Sequence, residues 1–329
     1  MRVARSLAEA VEFGPTAVAL GNFDGVHIGH GELISTTLRT AREHALAPSV
    51  LTFDPHPATI VAPHRTPRLL TTPRERCSLL AREGIENVLI LPFTSLVSRW
   101  TPAEFAERVL AKSFHAKAVI VGENFRFGHH QAGNTRVLAE LGRQFGFETH
   151  VVNAVSLRGR VVSSSEVRKA IDAGNASLAG RMLGRPFSLS GEVVSGHGIG
   201  SKQTVPTLNL KTPAQVIPKV GVYVTRTFDA RNESQCWDSI TNVGYRPTFE
   251  GAQPHELSIE TFLLSPFTPP APARIRVEFF HRLRDERKFE SADALKAQIL
   301  RDVGRTQAFF RRIALLKPGL GQERAELLQ

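Results

Sequence analysis

Cysteine is scarce in this chain of 329 residues, which contains two, Cys77 and Cys236. They form no Cys-x-x-Cys pair, so neither a disulfide framework nor a cysteine-rich metal site is expected. Long apolar runs are also absent. No stretch approaches membrane-spanning length, and the N-terminal residues lack the apolar core of a signal peptide. These absences predict a cytoplasmic protein without a membrane segment.

Acidic residues are fewer than basic ones, 31 against 41, which gives a formal net charge of +10. Such a charge attracts polyanions, either nucleic acids or nucleotides. The basic residues are scattered, however, and no Arg/Lys block with interleaved aromatic residues is present. The length suits two domains, and 42% hydrophobic residues are typical of globular proteins. We expect small nucleotide ligands and no nucleic-acid or membrane partner, while a homo-oligomer remains possible.

The most informative stretch is GNFDGVHIGH, residues 21 to 30, which follows an apolar run at residues 17 to 20. The run predicts a buried parallel strand, and helical spacing resumes after the turn. The residues expected on one helix face are Ile34, Leu38, Ala41 and Ala45. A helix N-terminus favours an anion such as phosphate. His27 and His30, in its first turn, would donate hydrogen bonds to that anion.

Zinc is the alternative ligand for these two histidines. It would need two further ligands close by, and no cysteine or carboxylate cluster supplies them. The sequence therefore favours phosphate.

Further short strands are predicted over residues 49 to 53, 88 to 91, 118 to 122 and 149 to 152. Helical patterns, such as residues 75 to 83 and 102 to 112, separate them. Strands that alternate with helices indicate a parallel sheet that binds ligands at the carboxyl ends of its strands. Gly21 and Gly122 lie at such ends.

Two aromatic residues follow the fourth predicted strand. Phe125 and Phe127 flank an arginine, and Gly128 and Gly133 keep the backbone open. The pair either packs in the core or forms a stacking platform for a flat ring.

Three serines at residues 163 to 165 precede a predicted helix that ends near Gly174. An N-cap explains one of the three. Arg168, expected in the first turn, opposes the helix dipole unless an anion compensates it. This segment is a second candidate for binding phosphate.

The pattern changes around residues 180 to 186. Six strands without intervening helices are predicted over residues 191 to 195, 207 to 210, 221 to 228, 239 to 243, 257 to 264 and 275 to 280. They indicate an antiparallel barrel or sandwich. A final amphipathic helix follows, with Ser291 as its cap and Leu295, Ile299 and Val303 on one face.

Oxygen-bearing side chains mark a second candidate site in this half. Thr207 and Asn209 are hard ligands on one face of a strand, suitable for Mg²⁺, although turn chemistry also explains them. Glu260 is a carboxylate within a β-run, either functional or on a solvated outer face.

Together these motifs resemble the bacterial bifunctional riboflavin kinase/FAD synthetase family, whose first domain carries the HxGH motif of nucleotidyltransferases. The other matching stretches are residues 122 to 133, 163 to 168, 183 to 187, 191 to 196, 206 to 209, 221 to 224, 242 to 249 and 283 to 289. The resemblance implies a Rossmann-like α/β nucleotidyltransferase domain, residues 1 to 183. It also implies a riboflavin kinase-like antiparallel β-barrel with a terminal helix, residues 184 to 329.

The resemblance further implies that riboflavin is phosphorylated to FMN and FMN is adenylated to FAD, with ATP and Mg²⁺. Its catalytic residues would be His27, His30, Arg168 and Glu260, and its metal ligands Thr207 and Asn209. The implied nucleotide and flavin contacts are Gly21, Asn22, Phe23, Asp24, Gly25, Gly29, Asn124, Phe125, Phe127, Gly128, Ser163, Ser164, Ser165, Gly200, Lys202, Pro206, Arg246 and Arg284.

Two segments depart from the family pattern. Residues 201 to 205 lack the usual arginine and Leu-Gly-Phe of the phosphate loop, and residues 265 to 272 are rich in proline and contain no acid. They leave the alternative of an adenylyltransferase joined to a weakened kinase. A second alternative, which the basic net charge suggests, is a nucleic-acid-binding or regulatory protein on the same fold.

Overall fold

The computed structural model describes residues 1 to 194, 207 to 245, 257 to 267 and 271 to 316. The chain divides into two compact units. The first comprises Met1–Val167 and Met182–Gly184, and the second comprises Arg168–Arg181 and Arg185–Gln329. Each unit is built around its own sheet.

A parallel sheet forms the centre of the first unit, as predicted, with six strands instead of the five predicted. Its strands are β1 (Arg2–Ala4), β2 (Thr16–Leu20), β3 (Ala47–Asp54), β4 (Asn87–Pro92), β5 (Ala116–Gly122) and β6 (Glu148–Val152). Every residue of β2 is buried, because a central strand of an α/β sheet is covered on both faces. The edge strand β1 was not predicted, since three residues carry no clear periodicity.

The strand order β1-β4-β3-β2-β5-β6 contains a switch point beside β2. The chain proceeds from β2 through β3 to β4 on one side, and then returns to place β5 on the other side of β2. Helices on the two sides of such a point diverge and leave a crevice at the carboxyl ends of the strands. The crevice lies where β2 and β5 end.

Eight α-helices lie between residues 7 and 183. They are α1 (Leu7–Ala10), α2 (Ile28–Glu43), α3 (Ala58–Val61), α4 (Pro73–Arg82), α5 (Pro102–Phe105, extended by a π-helical segment Ala106–Ser113), α6 (Thr135–Phe145), α7 (Ser164–Asp172) and α8 (Ala176–Leu183). Short 3₁₀ turns lie at Val11–Phe13, Pro63–Arg65, Val97–Arg99 and His129–Gln131, and a small hairpin joins β7 (Ser156–Leu157) to β8 (Arg160–Val161).

Helix α2 ends before the last residue of the apolar face predicted for it. It buries Ile34 and Ala41 but ends at Glu43. Ala45 is exposed and has φ 51°, a left-handed conformation that reverses the chain before β3. The prediction that Ala45 belongs to the helix face was therefore wrong.

A closed antiparallel barrel forms the second unit, so the barrel rather than the sandwich is confirmed. Its strands are β9 (Phe187–Val194), β10 (Thr207–Lys211), β11 (Gly221–Asp229), β12 (Cys236–Tyr245), β13 (Leu257–Leu263) and β14 (Arg274–Arg284). Closure pairs β9 with both β10 and β14, which leaves no strand edge unpaired.

The terminal helix α9 (Ala292–Leu316) begins after Ser291, whose Oγ accepts a hydrogen bond from the Ala294 N–H at 3.2 Å. The predicted cap is thus confirmed. The predicted apolar face is not the buried one, because Leu295 and Ile299 are 42% and 38% exposed. The residues that α9 buries are Gln298, Asp302, Thr306 and Phe310.

Candidate active sites

The turn between β2 and α2 is held in place by a buried carboxylate. Asp24 accepts hydrogen bonds from the main-chain N–H groups of Leu70 and Thr71, each at 3.0 Å, and from the Thr71 hydroxyl at 3.2 Å. The same hydroxyl accepts from the Gly25 N–H at 3.1 Å. This pattern fixes the turn whose next residues begin α2.

His27 and His30 form a reciprocal cap at the start of α2. His27 Nδ1 accepts from the His30 N–H at 3.2 Å, and His30 Nδ1 accepts from the His27 N–H at 3.3 Å. The two rings stack with centroids 3.7 Å apart. Because both Nδ1 atoms act as acceptors, each neutral ring carries its proton on Nε2, which is then the outward donor.

Close packing surrounds this pair. Phe23 is fully buried, and its ring centroid lies 4.9 Å from that of His30. A Cβ atom on Gly29 would lie 3.2 Å from His27 Nδ1, so glycine leaves room for the ring. These neighbours hold the two imidazoles in one orientation.

The beginning of α7 lies against the same turn. Ser164 Oγ donates to the main-chain oxygen of Asp24 at 2.9 Å. Ser163 is the N-cap, since its Oγ accepts from the Glu166 N–H at 3.3 Å, and Ser165 is exposed. Arg168 is half-buried and is the fifth residue of α7, so it does not lie in the first turn as predicted.

A cavity of about 940 Å³, the sheet cavity, opens where β2 and β5 end. Of the predicted contacts, its lining includes Gly21, Asn22, Asn124, Phe125, Phe127 and Gly128. Other lining residues, including His56 and Trp100, were not among the predicted site residues. His27 and His30 are not among the lining residues found for this cavity.

Two phenylalanines of the sheet cavity pack against each other. Phe125 and Phe127 stack with centroids 5.4 Å apart, and Phe127 also packs in the hydrophobic core. Gly133 pairs with Phe127, and a Cβ atom there would lie 2.5 Å from the ring. Core packing of Phe127 is therefore confirmed, and its place in the cavity lining leaves the stacking platform as a prediction.

A second cavity of about 740 Å³, the barrel pocket, lies on the outer face of the barrel. In the strand register, Glu260 lies opposite Asn209 of β10 on one side and opposite Asn242 of β12 on the other. Asn242 lies opposite Val222 of β11, which in turn lies opposite Arg284 of β14. Thr207, Glu260 and Arg284 line the pocket together with Asn242. Glu260 faces outward because its neighbours along β13, Ile259 and Thr261, are buried.

Apolar residues complete the barrel pocket. Phe262, Phe289, Leu295 and Ile299 belong to its lining, so the apolar face predicted for α9 borders this space. Glu286 also lines it and accepts from Asn242 Nδ2 at 3.1 Å. The lining thus combines apolar side chains with carboxylates and hydroxyls.

The Arg284 side chain forms hydrogen bonds with neighbouring residues of the protein. Its Nε donates to Asp302 Oδ2 at 2.8 Å, and its Nη1 donates to the main-chain oxygen of Asp285 at 3.0 Å. Gln298 Nε2 donates to the other oxygen of Asp302 at 2.8 Å.

Some predicted residues lie outside the described part of the chain. They are the predicted contacts Gly200, Lys202, Pro206 and Arg246. The two segments that depart from the family pattern also lie outside it, apart from residues 265 to 267, 271 and 272.

Within the described residues, no three His, Cys, Asp or Glu side chains come together in a group able to hold a metal ion. In the same part of the chain, no helix has the length and apolar character required to cross a bilayer.

The fold and the two cavities define a two-domain protein: an α/β domain with a cavity at its switch point, joined to a closed barrel with its own pocket. Residues 10–166 match the FAD synthetase family, and residues 183–310 match the riboflavin kinase family. The chain belongs to the bifunctional riboflavin kinase/FMN adenylyltransferase family.

Two curated relatives carry the name of this family, and a solved structure under another name is also similar. The bifunctional riboflavin kinase/FMN adenylyltransferase of Escherichia coli (strain K12) is 33% identical over 97% of this chain and 99% of its own length. That of Pseudomonas fluorescens is 32% identical over 88% and 91%, respectively. A solved structure named as a macrolide-efflux protein from Streptococcus pneumoniae is 29% identical, with a TM-score of 0.82 over 93% of this chain and 98% of that chain.

Proposed function

We propose that this protein makes FAD from riboflavin in two ATP-dependent steps. Residues 184 to 329 would phosphorylate riboflavin to FMN, and residues 1 to 183 would adenylate FMN. The observation that carries the proposal is that each family match contains its own cavity, lined by residues that the motifs had singled out. Neither alternative, a weakened kinase or a nucleic-acid-binding protein, is favoured by this family membership.

In the adenylyl transfer, an FMN phosphate oxygen attacks the α-phosphorus of ATP, the bond to the β-phosphate oxygen breaks, and pyrophosphate leaves. His27 and His30 would donate from Nε2 to phosphate oxygens as negative charge develops. The N–H groups of the first turn of α2 add to this stabilisation. Ser163, Ser164, Ser165 and Arg168 would hold the ATP phosphates.

The flavin ring would occupy the aromatic part of the sheet cavity. Phe125 and Phe127 offer a stacked apolar surface at the switch point, and Gly128 and Asn124 border it. Stacking on aromatic rings is a favourable way to hold a flat heterocycle.

In the phosphorylation, the ribityl hydroxyl attacks the γ-phosphorus of ATP, its proton passes to Glu260, and ADP leaves. The Glu260 carboxylate faces the barrel pocket, beside its cross-strand neighbour Asn209. The apolar residues of the pocket would cover the isoalloxazine. Arg284 would hold α9 against the pocket through Asp302.

Thr207 and Asn209 fit Mg²⁺ as partial ligands. They supply a hydroxyl and a carbonyl oxygen from one face of β10, and the described residues add no acidic cluster, so phosphate oxygens would have to complete the coordination. Bound Mg²⁺ would neutralise charge on the phosphates.

Two variants test which part of the chain catalyses which of the two reactions. His30→Ala should lower FAD formation from supplied FMN at least about 100-fold, as expected when a transition-state donor is removed. It should leave FMN formation from riboflavin unchanged. Glu260→Ala should have the opposite effect. Products separated after incubation with Mg·ATP provide the measurement, and loss of the same step in both variants would contradict the proposal.

A cytoplasmic location is part of the proposal. Cys77 and Cys236 are both free thiols, buried and exposed respectively, which suits a reducing compartment.

A further inference from the structure

A chain of hydrogen bonds runs from α4 to the edge of the sheet cavity. The Arg76 side chain donates from Nη1 to Thr52 Oγ1 at 2.9 Å, and Thr52 Oγ1 lies 2.8 Å from the main-chain oxygen of Asn22. A guanidinium has no acceptor, so the Thr52 hydroxyl must accept from Arg76 and donate its single proton to Asn22. The direction of both bonds is therefore determined.

Arg76 is a costly residue at this position. It is 3% exposed, and burial lowers the pKa of its guanidinium although the charges of Asp24 and Asp54 oppose that effect. Its Nε is buried and has no hydrogen-bond partner among the described residues. Buried charges are often replaceable by apolar residues without loss of stability.

Asn22, at the end of the chain of bonds, lines the sheet cavity with His56. Asn22 Nδ2 is placed 3.1 Å from His56 Nε2, while His56 Nδ1 accepts from the Ala58 N–H at 3.1 Å. A neutral ring that accepts at Nδ1 carries its proton on Nε2. Two N–H donors cannot bond to each other, so the oxygen and nitrogen of the carboxamide must be exchanged. The oxygen then accepts from His56 Nε2, and the NH₂ group points away from His56.

We propose that Arg76 and Thr52 are positioning residues for FMN adenylylation, and that Asn22, which they hold, donates from its carboxamide N–H to a phosphate oxygen of a bound substrate. Asn22 stands between the end of β2 and the N-terminus of α2, where anions are favoured. The inference rests on the adenylyltransferase function proposed above.

Thr52→Val tests the positioning role, because it removes the hydroxyl at nearly constant volume. We expect kcat/KM for FAD formation from FMN to fall about tenfold, as for the loss of one hydrogen bond in the transition state. Thr52→Ser should stay within about threefold of the unmodified protein. FMN formation from riboflavin, measured on the same samples, should be unchanged.

Thr16→Val is the matched control. Thr16 is the first residue of β2, at the end of the strand away from Asn22, and is as fully buried as Thr52. Its hydroxyl donates to the main-chain oxygen of Phe114 at 2.8 Å. This variant should retain FAD formation. An equal loss in Thr16→Val and Thr52→Val would overturn the proposal, since it would show a general effect of buried threonines.

A double-mutant cycle separates positioning from a merely structural role. If Thr52 acts through Asn22, Thr52→Val should cause no further loss in an Asn22→Ala background, whereas independent structural effects would add. Additive losses would overturn the proposal.

Asn22→Asp provides a test that does not depend on the folding of the Thr52 variants. It replaces the donor by an acceptor of equal shape and should lose at least as much FAD formation as Asn22→Ala. Retained activity would refute the donor role. Failure of the unmodified protein to convert FMN to FAD would instead refute the proposed function.

Discussion

Arg284 of the last barrel strand and Asp302 of α9 form a buried ion pair, with Nε 2.8 Å from Oδ2 and the Asp302 side chain 3% exposed. The pair, together with Gln298, explains why α9 buries a polar stripe and leaves Leu295 and Ile299 beside the barrel pocket. A charged contact thus determines which face of the helix is turned towards the barrel.

Breaking this pair should be costly. Asp302→Ala leaves a largely buried guanidinium without its anion, and we expect the free energy of unfolding of the barrel to fall by about 3 to 5 kcal/mol. Urea inactivation of riboflavin phosphorylation provides the measurement. Asp238→Ala is the control: its pair with Arg226 is 28% and 37% exposed, so the expected loss is at most about 1 kcal/mol. Equal losses would contradict the role of burial.

The exposed apolar residues of α9 should affect binding rather than stability. Leu295→Ser should raise the KM for riboflavin several-fold, since burying one such side chain contributes about 1.5 to 3 kcal/mol when complete. Stability should change by less than about 0.5 kcal/mol. Leu300→Ser, on the same helix but not among the lining residues of the pocket, should change neither quantity. A KM that stays constant in Leu295→Ser would argue against flavin contact here.

Gly133 controls the position of Phe127. A methyl group at residue 133 would lie 2.5 Å from the ring, so Gly133→Ala must displace one of the two. We expect the KM for FMN to rise about tenfold, the equivalent of 1.4 kcal/mol of lost binding. Riboflavin phosphorylation by the same sample is the internal control. Unchanged FMN kinetics would show that the ring does not contact the flavin.

A chain of hydroxyl groups crosses the barrel interior. Thr241 Oγ1 lies 2.8 Å from Thr225 Oγ1 and 3.0 Å from Thr261 Oγ1, and all three residues are fully buried. Thr241→Val removes the middle hydroxyl and leaves its partners short of a bond, at an expected cost of about 1 to 3 kcal/mol. Thr241→Ser retains the hydroxyl and should cost less than Thr241→Val. Urea inactivation of the kinase would distinguish the two variants.

Local features were predictable from the sequence because they depend on neighbours along the chain. The apolar run of β2, the helix that begins after His27, the cap Ser291 and an N-cap among the three serines at 163 to 165 all follow from residues a few positions apart. The failures are local as well: Ala45 takes a left-handed conformation that composition does not signal. Sequence patterns thus predicted the parallel α/β domain, an antiparallel β domain and the candidate phosphate-binding start of α2, while the choice between barrel and sandwich stayed open.

Tertiary structure decided which of these elements meet. The sheet cavity exists because β2 and β5, almost a hundred residues apart, are neighbours in a parallel sheet, and the barrel pocket exists because register places Asn209 beside Glu260. The buried Arg76 and the inward Asp302 carry no periodic signal, since their partners lie on other elements. The hydrophobic periodicity of a segment predicts which of its faces is apolar. Which other element that face contacts is determined by pairing and packing between segments that are distant in the sequence.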